Sequence, residues 1–292
     1  MIVEKAFAKI NMTLSVGKKR PDGYHDIDSV MHGISLCDTV KLKPASGIAL
    51  TITEGMAPGG KANLMWEAAE LFFDETGLSG GVHMELTKQI PSEAGLGGGS
   101  SDAAAVLRGL NRMTGNRLSM EKLAQMGAKL GADVPFCVVG GCCRCQGIGE
   151  RMTPIEGWNG LPLVIVKPHV SVSTGKAYFL LDALEKKPED TTEACMDALK
   201  KKDREALTQS FSNDFEAGLF GTEPVLKETS QFLKLLNPSA LMTGSGSSFF
   251  MVAENEKEQK EYINQITSVY PEWYVGEAET VYENEWGKDI KQ

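Results

Sequence analysis

Residues 90–105 read Ile-Pro-Ser-Glu-Ala-Gly-Leu-Gly-Gly-Gly-Ser-Ser-Asp-Ala-Ala-Ala, a glycine-rich turn that runs directly into a helical pattern. No other stretch so narrows what the chain can become. Gly95, Gly97, Gly98 and Gly99 let the backbone take positive φ and lie close to a ligand, and Ser100 and Ser101 add hydroxyls at a helix start. Downstream, Ala103, Val106, Leu107 and Leu110 fall at i, i+3, i+4 and i+7, so one face of the helix can bury while its N-terminus stays open. Free amides there carry partial positive charge, and successive N–H groups in a glycine turn form an anion nest. The expectation is a phosphate cradle. No GxxxxGK[ST] occurs, and a GxGxxG beginning at Gly97 would need glycine where Asp102 stands, so the cradle belongs to neither of those classes.

A chain of 292 residues can bury a large core and predicts two domains, with a boundary near residue 155. A net charge of −9 and a pI near 5.1 argue against nucleic-acid or membrane-surface partners, while leaving room for a locally positive site that holds a small anion. Four of the six cysteines crowd into residues 137–145, with no second Cys or His cluster at zinc-finger spacing. They read as reduced, packed thiols, and with no leader pattern and no long apolar run they predict a cytoplasmic protein.

Alternation from Ala6 sets Ala8, Ile10, Met12, Leu14 and Val16 against Lys9, Asn11, Thr13 and Ser15, which predicts a strand with one buried face. Arg20-Pro21-Asp22-Gly23 is a turn signal before Tyr24 and His25. Strands are predicted around 48–52 and 82–86, with an amphipathic helix at Leu64, Ala68, Leu71 and Phe72 between them. A helix through Leu123, Met126 and Leu130 should stop at Gly131. Asp133 then falls in a segment too short for regular structure, and the apolar runs 136–139 and 161–166 read as strands. After Pro168 the pattern is mostly helical, with charged segments near 185–205 and 222–236, then strand-like pieces at 248–253 and 272–282. A second small-residue cluster, Met242 to Ser248, precedes an apolar run and could face the first loop across a cleft.

Phosphoryl transfer needs a cradle, positive charge on the transferring group, and a group that orients or deprotonates the attacking hydroxyl. The loop offers the first, Lys9 the second and Asp133 the third. An aspartate, with an unperturbed pKa of ~3.9, is ionised and able to accept a proton. By spacing alone Lys9 reads equally as a solvated strand residue and Asp133 as a turn acid. His25, His32, His83 and His169 show no paired metal-ligand spacing, and no GxSxG is present.

Pro91 to Ala104, with its Gly-Leu-Gly-Gly-Gly-Ser-Ser core, resembles the nucleotide-binding motif of the GHMP kinases, the superfamily of galactokinase, homoserine kinase and mevalonate kinase. Ala8-Lys9-Ile10-Asn11, Arg20 to His25 and Gly131 to Phe136 are similar to its branch with a cytidyl diphosphate acceptor, and Met242 to Ser248 resembles the family's C-terminal glycine motif. The resemblance implies a two-domain α+β fold. Residues 1–155 would be an ATP-binding domain similar to ribosomal protein S5 domain 2, and 156–292 a ferredoxin-like domain. It also implies transfer of the γ-phosphoryl group of ATP to a cytidyl diphosphate small molecule, with Mg²⁺ on the phosphates and its protein ligands unassigned. Lys9 and Asp133 match the catalytic pair. Asn63, Leu64, Pro91, Gly95, Leu96, Gly97, Gly98, Gly99, Ser100, Ser101 and Asp102 match the nucleotide site. Asn11 would lie beside the reacting hydroxyl, with Tyr24, His25, Thr174 and Tyr178 on the acceptor side. Another GHMP kinase of homoserine or mevalonate type, or an inert nucleotide-binding module, is the alternative.

Overall fold

The computed structural model describes residues 1–184 and 190–282. The strand predicted from Ala6 runs over Ile2–Lys19 (β1) and, through the Arg20–Gly23 turn, pairs antiparallel with His25–Ala45 (β2). Its alternation misleads in one respect: every residue from Ala6 to Leu14 is buried, on both faces. Ala8, Ile10 and Met12 pack in one cluster with Leu163, Ile165 and Phe250 of a second sheet, a layer that a single strand's pattern cannot reveal. The register with β2 shifts on either side of Lys9 and Asn11, between Phe7 and Lys9 and between Asn11 and Thr13. Such irregularities re-aim side chains, and these two flank the residues that reach the site.

Ala49–Glu54 (β3), Leu64–Thr76 (α1) and Gly81–Thr87 (β4) form a βαβ unit whose strands pair in parallel. Gly98–Met113 (α2) lies on the sheet, and every residue from Ser101 to Asn111 is buried, more than the single face its periodicity predicts. Met120–Gly127 (α3) ends four residues before Gly131, the last turn unwinding through a Gly131 N–H to Gly127 carbonyl bond of 3.1 Å. Residues 136–139 are helix rather than strand. Val134–Val139 (α4) starts on Asp133 as its N-cap with Pro135 in the first turn, where a missing N–H costs nothing. A short apolar run does not by itself separate buried helix from strand.

Cys142–Gly147 (β5) pairs with β2 and with Arg151–Pro154 (β6). Cys142 and Cys145 have CxxC spacing, but three residues along an extended strand put them on opposite faces, and Cys142 packs in a different cluster from Cys143 and Cys145. None of the six cysteines is in a disulfide.

Pro162–Lys167 (β7) opens the second sheet. Thr174–Asp182 (α5), Thr192–Lys201 (α6) and Arg204–Gln209 (α7) follow, then Ser212–Asn213 (β8), Asp214–Leu219 (α8) and Pro224–Leu236 (α9). Leu241–Met242 (β9), Phe249–Val252 (β10), Glu256–Val269 (α10) and Tyr274–Glu279 (β11) complete the chain order. Of the charged segment predicted near 185–205, residues 185–189 lie outside the described residues. The sheet order is β11-β7-β10-β9, all antiparallel, the ferredoxin-like arrangement. The first sheet ends its main run at Pro154, yet β8 returns to pair in parallel with β1 at Thr13 and Leu14. Among the described residues no helix is long and apolar enough to cross a membrane.

Candidate active site

Gly97, in the left-handed region at φ 71°, caps α2 and turns its first N–H groups toward an open cleft of about 800 Å³. The second glycine loop does not face the first across this cleft; the two touch. A Cβ on Gly95 would stand 2.2 Å from the Thr243 carbonyl oxygen, and one on Gly244 2.8 Å from the Gly95 oxygen, so only glycine permits the contact. Ser248 N–H donates to the Ala94 carbonyl at 3.1 Å, and Asn11 N–H to Thr243 Oγ1 at 2.9 Å. Asn213 Nδ2 donates to the carbonyls of Met242 and Gly244 at 2.7 and 2.8 Å. Strand β1, the loop before α2 and the loop before β10 thus form one block.

Lys9 is not on a solvated face. Its side chain is 3% exposed, its Nζ donates to Asn11 Oδ1 at 2.7 Å, and it stands 3.5 Å from Asp133 Oδ2. Asn11 Nδ2 donates to Ser29 Oγ at 2.8 Å, which in turn donates to the Thr13 carbonyl, so the amide that receives Lys9 is itself held. Asp133, 31% exposed, keeps one side toward the cleft, and its carboxylate makes no capping bond to α4. The lysine approaches under the loop: a Cβ on Gly97 would lie 3.1 Å from Lys9 Cγ.

Asn63, Leu64, Pro91, Leu96, Gly98, Gly99, Ser100 and Asp102 line the same cleft. Asn63 caps α1, accepting from Met65 N–H at 2.9 Å, and donates to the Pro58 carbonyl at 2.8 Å, so both ends of its amide are engaged. Ser101 is not brought to the cleft; it is buried, its hydroxyl donating to the Phe7 carbonyl and its N–H to the Gly97 carbonyl. The glycines also differ in aim. A Cβ on Gly98 would point inward, 2.9 Å from Lys88 Nζ and 3.1 Å from Ile90 Cγ2, whereas one on Gly99 would meet open space.

Opposite, Thr174 Oγ1 lies 3.0 Å from Ser245 Oγ, tying the start of α5 to the second loop. Tyr178 reaches the cleft, backed edge-on by Phe215 at 4.9 Å, and burial with the charge of Asp133 pushes its phenol up to about 12. His25 stacks behind Tyr178 with centroids 4.7 Å apart, and its Nε2 donates to Asp182 Oδ1 at 2.7 Å. Neither His25, 5% exposed, nor Tyr24, 60% exposed, lines the cleft in this conformation.

Sequence reasoning missed Lys88 and Asp38. Lys88 closes β4 below the loop and pairs with Asp38 and, at 2.8 Å, with Asp102. Lys88 stands within a few residues of the loop, the one hint available, but nothing local marks Asp38, which lies far off on β2. Three of the residues lining the cleft are acids, Glu93, Asp102 and Asp133, yet among the described residues no three His, Cys, Asp or Glu side chains converge as a metal cage.

The family model for the GHMP kinases N terminal domain matches residues 63–141, the span from the α1 cap to the end of α4 and the glycines beyond it. Fold and site together define a GHMP kinase. The chain is 40% identical over 264 residues to 4-diphosphocytidyl-2-C-methyl-D-erythritol kinase of Carboxydothermus hydrogenoformans, covering 89% of this chain and 91% of that one. It is 36% identical to the enzyme of the same name from Alkaliphilus metalliredigens, covering 93% and 94%. A crystal structure of 4-(cytidine 5'-diphospho)-2C-methyl-D-erythritol kinase superposes with a TM-score of 0.81 at 33% identity, over 95% of this chain and 99% of that one. Homoserine kinase from Cytophaga hutchinsonii shares the fold, with a TM-score of 0.73 at 16% identity over 96% and 95% of the two chains. The chain belongs to the 4-diphosphocytidyl-2-C-methyl-D-erythritol kinase family.

Proposed function

We propose that the chain transfers the γ-phosphoryl group of ATP to the 2-hydroxyl of 4-diphosphocytidyl-2-C-methyl-D-erythritol, a step of non-mevalonate isoprenoid precursor synthesis. The observation that carries the chemistry is the Lys9–Asp133 pair at 3.5 Å beneath the open N-terminus of α2. The nest of N–H groups from Gly97 to Ser100 receives phosphate oxygens. Asp133 accepts the proton of the attacking hydroxyl as the O–P bond forms and the bond to the ADP oxygen breaks. Lys9, with its own amine held by Asn11, orients that carboxylate and offsets charge on the transferring group. Mg²⁺, carried on the ATP phosphates, would neutralise part of their charge. On the acceptor side Tyr178 supplies a half-buried ring for the cytosine, with Thr174 lining the same cleft and His25 stacked behind the ring.

The division into domains at 155 and a cytoplasmic location belong to the same proposal, supported by the change of sheet after Pro154 and by six cysteines none of which is in a disulfide. The test is a coupled ADP-release assay with the cytidyl substrate, homoserine and mevalonate each supplied separately. Turnover with the cytidyl substrate alone is the expected result. Preference for either of the others would overturn the acceptor, and product with none would leave a nucleotide-binding module.

A further inference from the structure

Below the glycine loop lies a second charged cluster that the phosphoryl-transfer step does not use. Asp38, Lys88 and Asp102 are each buried, with side-chain exposures of 0, 7 and 3%. Asp38 is fully satisfied as a carboxylate: Oδ1 accepts from the N–H groups of Gln89 and Ile90 at 2.5 and 2.8 Å, and Oδ2 from Lys88. Asp102 is not. Its Oδ2 accepts from Lys88 at 2.8 Å, but its Oδ1 is buried with no hydrogen-bond partner among the described residues. The cluster ties the strand end before the loop to the first turn of α2 after it, and Lys88 Nζ sits directly under Gly98.

Two carboxylates and one ammonium leave one net negative charge in a poorly solvated place. That charge lies against a cradle built for polyphosphate. An uncompensated buried charge is costly, and a neighbouring anion raises the cost further. The cheapest relief is a proton on the oxygen that has no partner. We propose that Asp102 is a proton-coupled positioning residue of the nucleotide site, protonated whenever nucleotide occupies the loop, so that ATP binding at alkaline pH draws one proton from solvent onto its carboxylate. This rests on the assignment of ATP to the glycine loop.

The surroundings leave few rivals for that proton. Of the elements packed on α2, β4 and β2 bring Lys88 and Asp38. Strand β1 brings Lys9, occupied with Asn11 and Asp133, and Glu4, paired with Arg108 and Arg112. Helix α4 brings Cys137, whose thiol burial pushes up to about 12. The residues that α1 and α3 bury carry no titratable group. Burial, helped by the charge of Asp38 and opposed by Lys88, raises the Asp102 carboxyl to about 8, within reach of ordinary buffers.

The test is calorimetric titration of the full chain with ATP and magnesium, without acceptor, in pairs of buffers that differ in ionisation enthalpy. About half a proton should be taken up at pH 8, approaching one at pH 9, with the Kd for ATP weakening up to about tenfold per pH unit above that. D102N, isosteric with the protonated acid, should abolish the uptake and flatten the pH dependence of Kd. An infrared difference spectrum of the wild-type chain, ATP-bound minus free at pH 9, should show a new protonated-carboxyl band, a readout that stands even if the variant does not fold. ATP binding without proton uptake, or uptake that persists in D102N, would overturn the proposal alone. Absence of ATP binding would instead overturn the assignment of the loop.

Discussion

His25 and Tyr178 stack with ring centroids 4.7 Å apart and planes 18° from parallel, although one follows the first turn of the chain and the other lies on α5. The stack links the turn at Arg20–Gly23 to the cleft, because Tyr178 lines the cleft and His25 packs behind it. The histidine thus acts as a backing for the tyrosine, anchored by Asp182.

Tyr178→Ala should raise the KM for the cytidyl substrate by about 10- to 100-fold, the range of base–aromatic stacking, with little change in the KM for ATP. Steady-state kinetics with each substrate varied in turn checks this. An equal rise in both values would place Tyr178 in general structure rather than in the acceptor site.

Asp133→Asn should retain ATP binding and lose about 10²- to 10⁴-fold in kcat, since the cradle survives and the proton acceptor does not. Single-turnover measurements at saturating substrates give the comparison, and undiminished turnover would remove Asp133 from the chemistry.

The glycines of the loop should separate into two kinds. Gly98→Val drives its side chain into Lys88 and Ile90 and is expected to cost about 1–3 kcal/mol, seen as a Tm lowered by several degrees. Gly99→Ala has space and should leave Tm unchanged while altering the Kd for ATP. Thermal melts and titrations of both variants decide the matter; equal melting losses would refute the distinction.

Glu93 holds φ at 51°, a left-handed conformation that a side chain other than glycine occupies at a cost of about 1–2 kcal/mol. It also lines the cleft near the expected phosphates. Glu93→Gly should therefore raise stability by about 1 kcal/mol in urea unfolding and tighten ATP binding at low salt. Loss of stability would show that the side chain contributes more than its backbone strain costs.

His32 is buried and neutral, its Nδ1 donating to the Gly33 carbonyl at 2.9 Å and its Nε2 accepting from Trp158 N–H at 3.3 Å. Burial, with Lys202 adding to it and the Gly33 bond opposing, lowers its pKa from 6.5 to about 4. Because the folded value lies below the unfolded one, the contribution is fully present above pH 6.5 and is lost as pH falls toward 4, about 3 kcal/mol in all. Urea unfolding at pH 7 and pH 4.5 should show the wild-type chain losing more stability than His32→Asn. Identical losses would contradict the assignment.

Much of the fold was legible locally. The hairpin of β1 and β2, the βαβ unit and helix α2 follow from periodicity and turn chemistry, which act over a few residues. What failed, failed for want of length or of context. Residues 136–139 were too few to show a period, and their helix depends on the Asp133 cap and Pro135 in its first turn. The buried second face of β1 depends on β7 and β10, more than a hundred residues away.

A phosphate cradle at the start of a helix is legible in the chain's local pattern, and its motifs point to the family, which in turn singles out Lys9 and Asp133 as the pair suited to phosphoryl transfer. The folded arrangement adds that Lys9 is buried against Asp133, that Ser101 turns inward, that the two glycine loops touch, and that Asp38 and Lys88 join Asp102 beneath the cradle. The reason is physical. Backbone preferences and amphipathic patterns are set by neighbours in the chain, whereas burial, ion pairing and the aim of a side chain are set by neighbours in space, and here those come from strands and loops the chain reaches much later.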